Sequence, residues 1–142
     1  MWSLLYNQKL LFIFLASGIG LGFAYFLYYN IKKQPVGSEK MKTISESIHL
    51  GAMTFLQAEY SRLAVFVALI TGLLFFGFAW NVAFAFLLGA LCSASAGFIG
   101  MKSATRGNVR TAQAAKQEGI AKALLIAFNG GAVMGIAVAS LG

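Results

Sequence analysis

Few residues in this 142-residue chain have the types and spacing that chemistry requires. The acids are Glu39, Glu46, Glu59 and Glu118, and there is no Asp. Magnesium-assisted phosphate chemistry needs several carboxylates converging on the metal, and four scattered Glu do not suggest such a site. His49 is the sole histidine, with no second ligand at metal spacing, and reads as an ordinary helix-face residue. Without Asp no Ser/His/Asp set can be assembled. Cys92, among Ser93, Ala94 and Ser95, reads as packing, and a lone cysteine makes no intramolecular bridge. Gly37-Ser38-Glu39-Lys40 lacks the phosphate-loop pattern, so nucleotide binding has no support. Glu59 stands three residues before Arg62, a spacing for an intrahelical ion pair more than for a proton relay. Lys102, Arg106 and Arg110 recur once per helical turn. Such a basic face can draw phosphate anions toward an opening, or more plainly rest on anionic headgroups. No catalytic, cofactor-binding or metal-binding residue is expected.

The elements that must carry these residues are read from where charge is missing. Hydrophobic types make up 59% of the chain and charged types 11%, against roughly 25% charged in a soluble domain. That balance excludes a soluble globular enzyme and a disordered chain. Leu10 to Ile31 is a charge-free run of 22 residues, about 33 Å as a helix, enough to cross a hydrocarbon core of about 30 Å. It is too long, and too poorly flanked by basic residues, for a cleaved signal peptide. Leu63 to Met101 is a run of 39 residues, right for two spans with a turn at Trp80-Asn81, and Ala123 to Gly142 adds a run of 20. The reading is an all-α polytopic membrane protein, one membrane domain over 1–142, with spans near 10–31, 63–79, 82–101 and 123–142. Continuous rather than alternating apolar runs exclude a membrane barrel.

Basic residues orient these spans. Lys32, Lys33, Lys40, Lys42 and Arg62 follow the first; Lys102, Arg106, Arg110, Lys116 and Lys122 follow the third. Both connections fall on one side, leaving only Lys9 elsewhere, so the positive-inside rule puts the basic loops in the cytoplasm and the N-terminus outside. The +7 net charge therefore reads first as topology. Pro35-Val36-Gly37-Ser38 breaks the chain after the first span. Thr43-Ile44-Ser45-Glu46 then fits a capping box, and a helix is expected from Thr43 to Ala79, with about 20 Å of its length beyond the bilayer. The third helix continues to about Lys116, before Gly119, so the two overhangs can form a cytoplasmic hairpin. Gly89, Ser93, Gly97 and Gly100, with Gly131 and Gly135, have the small-residue spacing that lets membrane helices approach closely. Gly18 and Gly22 form a similar pair. Basic residues that flank spans without interleaved aromatics do not point to nucleic acid.

Three segments carry a resemblance. Gly51-Ala52-Met53-Thr54-Phe55-Leu56-Gln57-Ala58-Glu59-Tyr60 resembles the "GA.AFL..EY" stretch of membrane-embedded ion-pumping pyrophosphatases. Gly89 to Lys102, continuing through Ala104-Thr105-Arg106 and Asn108-Val109-Arg110-Thr111-Ala112, resembles that family's "GA.CSA.AG.IGM..AT..NVRTA" segment. Ala127 to Gly135 resembles "AF.GGAVMG". The resemblance implies pyrophosphate hydrolysis coupled to H+ or Na+ transport, Mg2+ for the full-length family, a homodimer, and a chain several-fold longer. The Asp-rich motifs of the "DVGADLVGK" type, which hold magnesium pyrophosphate in the family, have no counterpart here. The expectation is therefore an N-terminal portion of such a pump: a scaffold, inactive alone, with the bilayer and the remaining pump helices as partners. The rival is an independent four-helix membrane transporter or assembly protein.

Overall fold

A computed structural model describes the backbone of residues 2–142 and the side chains of residues 8–142. Four helices account for nearly all of it: α1 (Trp2–Lys33), α2 (Glu39–Gly77), α3 (Trp80–Gln117) and α4 (Ile120–Leu141). Each is long and apolar enough to cross a membrane. No strand occurs among the described residues. The expected fold class is observed, with α2 at 39 residues and α3 at 38 exceeding what a bilayer needs.

The helix boundaries follow from local chemistry. Pro35 cannot continue a helix, and Lys32 and Lys33 in the last turn of α1 suit the negative end of its dipole. Gly37, at φ +91°, takes a left-handed conformation that glycine adopts without strain. The α2 N-cap is Ser38, whose Oγ accepts a hydrogen bond from Met41 N at 3.4 Å. The capping box expected at Thr43 is therefore corrected. Thr43 lies one turn inside the helix and its hydroxyl donates back to the Glu39 carbonyl at 3.0 Å. Ser38 wins because it directly follows the Pro–Gly break, and Glu39 then falls in the first turn where the dipole favours it. The turn expected at Trp80-Asn81 lies two residues earlier, at Phe78-Ala79. Asn81 is already helical, and its side chain accepts at 3.0 Å from Val82 N, a donor that also reaches the Ala79 carbonyl at 3.1 Å. Gly119, at φ +90°, separates α3 from α4.

The helices do not close into a bundle. They pack in the spatial order α2, α3, α4, α1, with α1 also reaching α3; among the described residues α2 meets neither α1 nor α4. The seam between α3 and α4 is the best-buried part. From α4 it takes Ala123, Ile126, Gly130, Val133 and Ala137, spaced alternately three and four apart on one stripe. From α3 it takes Gly100 beside Met134, Ser103 against Gly130, and Ala114 against Ala123 and Ile126. Small residues let these backbones approach, which matters because apolar burial gives helices little reason to associate in lipid. By contrast α2 buries only Ser45 and Leu56. Large side chains such as Phe12 and Phe76 stand exposed on the helix faces, as suits helices apolar enough to cross a membrane.

Candidate functional site

The polar residues gather along the overhang of α3, which meets the end of α1 on one side and the overhang of α2 on the other. Arg110 is the centre of this junction and is only 8% exposed. Its Nε donates to the Gln34 carbonyl at 3.1 Å, one terminal nitrogen to the Lys32 carbonyl at 3.2 Å, and the other to the Arg106 carbonyl at 2.6 Å. A helix leaves its last four carbonyls without intrahelical donors. The Ile31 carbonyl is met by Gln34 N at 3.0 Å, and Arg110 supplies donors for its neighbours. The planar guanidinium suits this work because it presents several N–H groups in a fixed fork. The side chain of Gln113, one turn along α3 and buried, lies against Gly37, so the same helix face also holds the α1–α2 loop.

This changes how the expected basic face is laid out. Lys102 is exposed, with its Nζ 5.5 Å from the centroid of the Phe98 ring. Arg106 is half-buried and Arg110 is turned inward. One of the three cations is thus spent on backbone carbonyls, and they do not present one open row to an anion.

A second polar contact joins the overhangs. His49 Nδ1 lies 2.8 Å from Thr105 Oγ1. The Thr105 hydroxyl has one proton and sits 2.9 Å from the Met101 carbonyl and 3.3 Å from that of Lys102. With that proton on a carbonyl, Thr105 accepts from His49 Nδ1–H, which leaves Nε2 free in the neutral ring. Partial burial, then the positive charges of Arg106 and Lys102, hold the imidazole below its ordinary value. His49 is therefore more than a lone helix-face residue, although no group of three His, Cys, Asp or Glu capable of holding a metal occurs among the described residues. Beside this contact an open apolar groove of about 240 Å³ runs between the overhangs, lined by Met41, Ile44, Ile48 and Val109 among others.

The carboxylates stay apart. Glu59 accepts from Arg62 at 3.3 Å on the same helix, as its spacing predicts. Glu118 approaches Lys122 at 4.0 Å, Glu39 sits in the first turn of α2, and Glu46 is exposed. The residues present do not fit a magnesium ion, which takes several converging oxygen ligands.

The small residues divide in the same way. A Cβ at Gly100 would lie 2.6 Å from Met134 Cγ of α4, and one at Gly97 3.0 Å from the Tyr60 hydroxyl of α2. That hydroxyl donates to the Ala94 carbonyl at 2.6 Å. Gly89, Gly131 and Gly135 have nothing within 4 Å of a would-be Cβ, and Ser93 is exposed. Buried Gly130 accepts from the Ser103 hydroxyl at 3.4 Å. The contacts that sequence reasoning missed are those of Arg110, His49 and Tyr60. The residues around Arg110 and Tyr60 were marked by the family-like segments, but their partners lie 34 to 78 positions away.

Residues 18–142 match the sequence family described as inorganic H+ pyrophosphatase. Among relatives, the K(+)-stimulated pyrophosphate-energized sodium pump of Thermotoga maritima is 44% identical over 126 residues, which is 88% of this chain and 17% of that protein. The K(+)-insensitive pyrophosphate-energized proton pump of Methanosarcina mazei is 44% identical over 129 residues, 89% of this chain and 19% of the relative. The chain spans less than a fifth of the length of these relatives. With a match across most of its residues and four helices able to cross a bilayer, the chain is an integral membrane protein belonging to the inorganic H+ pyrophosphatase family.

Proposed function

We propose that these four helices serve as scaffold in a pyrophosphate-energised pump that couples pyrophosphate hydrolysis to export of H+ or Na+, and that they hydrolyse nothing alone. The observation that carries this is the state of the carboxylates. In a chain of this family, Glu59 and Glu118 lie beside cations of their own helices, and no three metal-ligating side chains converge among the described residues. Pyrophosphate held through Mg2+ calls for ligands that these residues do not supply. What they do supply is the α3–α4 seam and the Arg110 junction, which fix α1, α3 and α4 as one layer. Further pump helices, and a second copy of the pump, would pack on this layer.

In this reading the Arg110 end of the layer faces the cytoplasm and the N-terminus lies outside, because 10 of the 11 basic residues flank that end. A chimera tests the scaffold role. Residues 18–142 replace the matching segment of the Thermotoga maritima pump, and pyrophosphate-driven Na+ uptake is measured in vesicles. Uptake retained by the chimera supports the reading; a chimera that inserts and assembles but neither hydrolyses nor transports contradicts it.

A further inference from the structure

Between the last turn of α1 and the first turns of α4 lies a notch of about 40 Å³, walled by Asn30, Ile31 and Gln34 on one side and Lys122, Ile126 and Asn129 on the other. Its position along the helices sets it apart. It sits where the charge-free runs Leu10–Ile31 and Ala123–Gly142 meet their basic flanks, so its mouth lies at headgroup level. Its lining also includes Leu125, an apolar side chain that stands exposed.

The lining is chemically specific. Asn30, Gln34 and Asn129 bring side-chain amides and Lys122 an ammonium, all hydrogen-bond donors. At headgroup level such groups can be met by a polar ligand. The ammonium is only loosely engaged: Glu118 is 4.0 Å away, and the two side chains are 39% and 45% exposed, so the pair contributes little. Arg110 is the opposite case, with its donors already committed to carbonyls. At roughly 10–15 Å³ for each water-sized group, the notch of about 40 Å³ admits about three such groups, room for the two non-bridging oxygens of a phosphodiester and not for a nucleotide.

We propose that this notch binds a phosphate group carried by an anionic membrane lipid, with Lys122 as the cation and the three amides as orienting donors. Exposed Leu125 at its edge gives an acyl chain an apolar contact, which a free phosphate would not use. The site requires the chain to lie in a bilayer and does not depend on the pump reading.

The purified chain, stripped of lipid in mild detergent, is offered equal amounts of phosphatidylglycerol and phosphatidylcholine. Lipid retained per chain is then counted by native mass spectrometry, with circular dichroism confirming that each variant keeps its helices. The wild-type chain prefers phosphatidylglycerol, and Lys122→Gln lowers that preference about fivefold. Asn129→Leu lowers it without changing charge, while Lys42→Gln, on α2 and away from both walls, leaves it intact. A second arm adds inorganic phosphate: retained lipid supports the lipid assignment, and displacement overturns it in favour of the free anion. A preference unchanged by Lys122→Gln, or lost equally with Lys42→Gln, overturns the site.

Discussion

Arg110 of α3 closes the end of α1 through the carbonyl of Gln34, with Nε to oxygen at 3.1 Å across 76 positions of sequence. Together with the bond to the Lys32 carbonyl, it replaces the turn of helix that Pro35 forbids. Replacing Arg110 with Ala strands these carbonyls in a half-buried junction. The expected loss is about 2 kcal/mol, the range for hydrogen bonds to charged groups. Arg110→Lys restores only part, since a single ammonium cannot serve three separated carbonyls. Denaturant unfolding followed by circular dichroism measures both, and limited proteolysis at residues 34–38 should quicken in the same order.

At Gly100 the prediction is steric. A methyl placed there meets Met134 at the α3–α4 seam, so Gly100→Ala should destabilise the chain by about 1–3 kcal/mol, as overpacking does. Met134→Ala in the same chain should recover much of that loss. Gly89→Ala, with open space at its Cβ, should be neutral in the same unfolding assay.

The His49–Thr105 contact makes stability depend on pH. The folded value lies below the ordinary 6.5, so as pH falls through about 6.5 the unfolded chain takes up a proton that the folded chain resists. The contribution is whole above that pH, declines below it, and levels off once pH passes the folded value. Unfolding free energies measured between about pH 7.5 and 5 should show this slope. His49→Gln, which cannot titrate, should flatten it.

Topology follows from the same basic residues. With Cys92 replaced by Ala, a cysteine introduced at Lys40 should react with an impermeant maleimide only after cells are opened. Labelling of intact cells would reverse the orientation of all four helices.

Much of the fold was legible in the sequence, because charge-free runs mark long apolar helices without any tertiary contact. Helix ends were less so. The Thr43 box and the Asn81 signal are genuine local motifs, but Ser38 and Phe78-Ala79 lie nearer the break and take the role first. The packing faces were harder still. On a helix a step of one residue turns a side chain by about 100°, so Gly131 faces outward while Gly130 is buried. Arg110 shows the limit most clearly. Its spacing with Lys102 and Arg106 marks a basic face, yet the carbonyls it serves belong to a helix 76 and 78 positions away, and nothing local records that.

Pyrophosphate hydrolysis by the chain itself tests the scaffold claim most directly. Residues 1–142, purified in detergent and reconstituted in lipid, would be incubated with pyrophosphate and Mg2+, with and without K+ and Na+, and released phosphate followed against protein-free vesicles. Release indistinguishable from that blank is expected under every condition. Turnover above it that scales with protein concentration would contradict the account, because these four helices would then hold a catalytic set of their own.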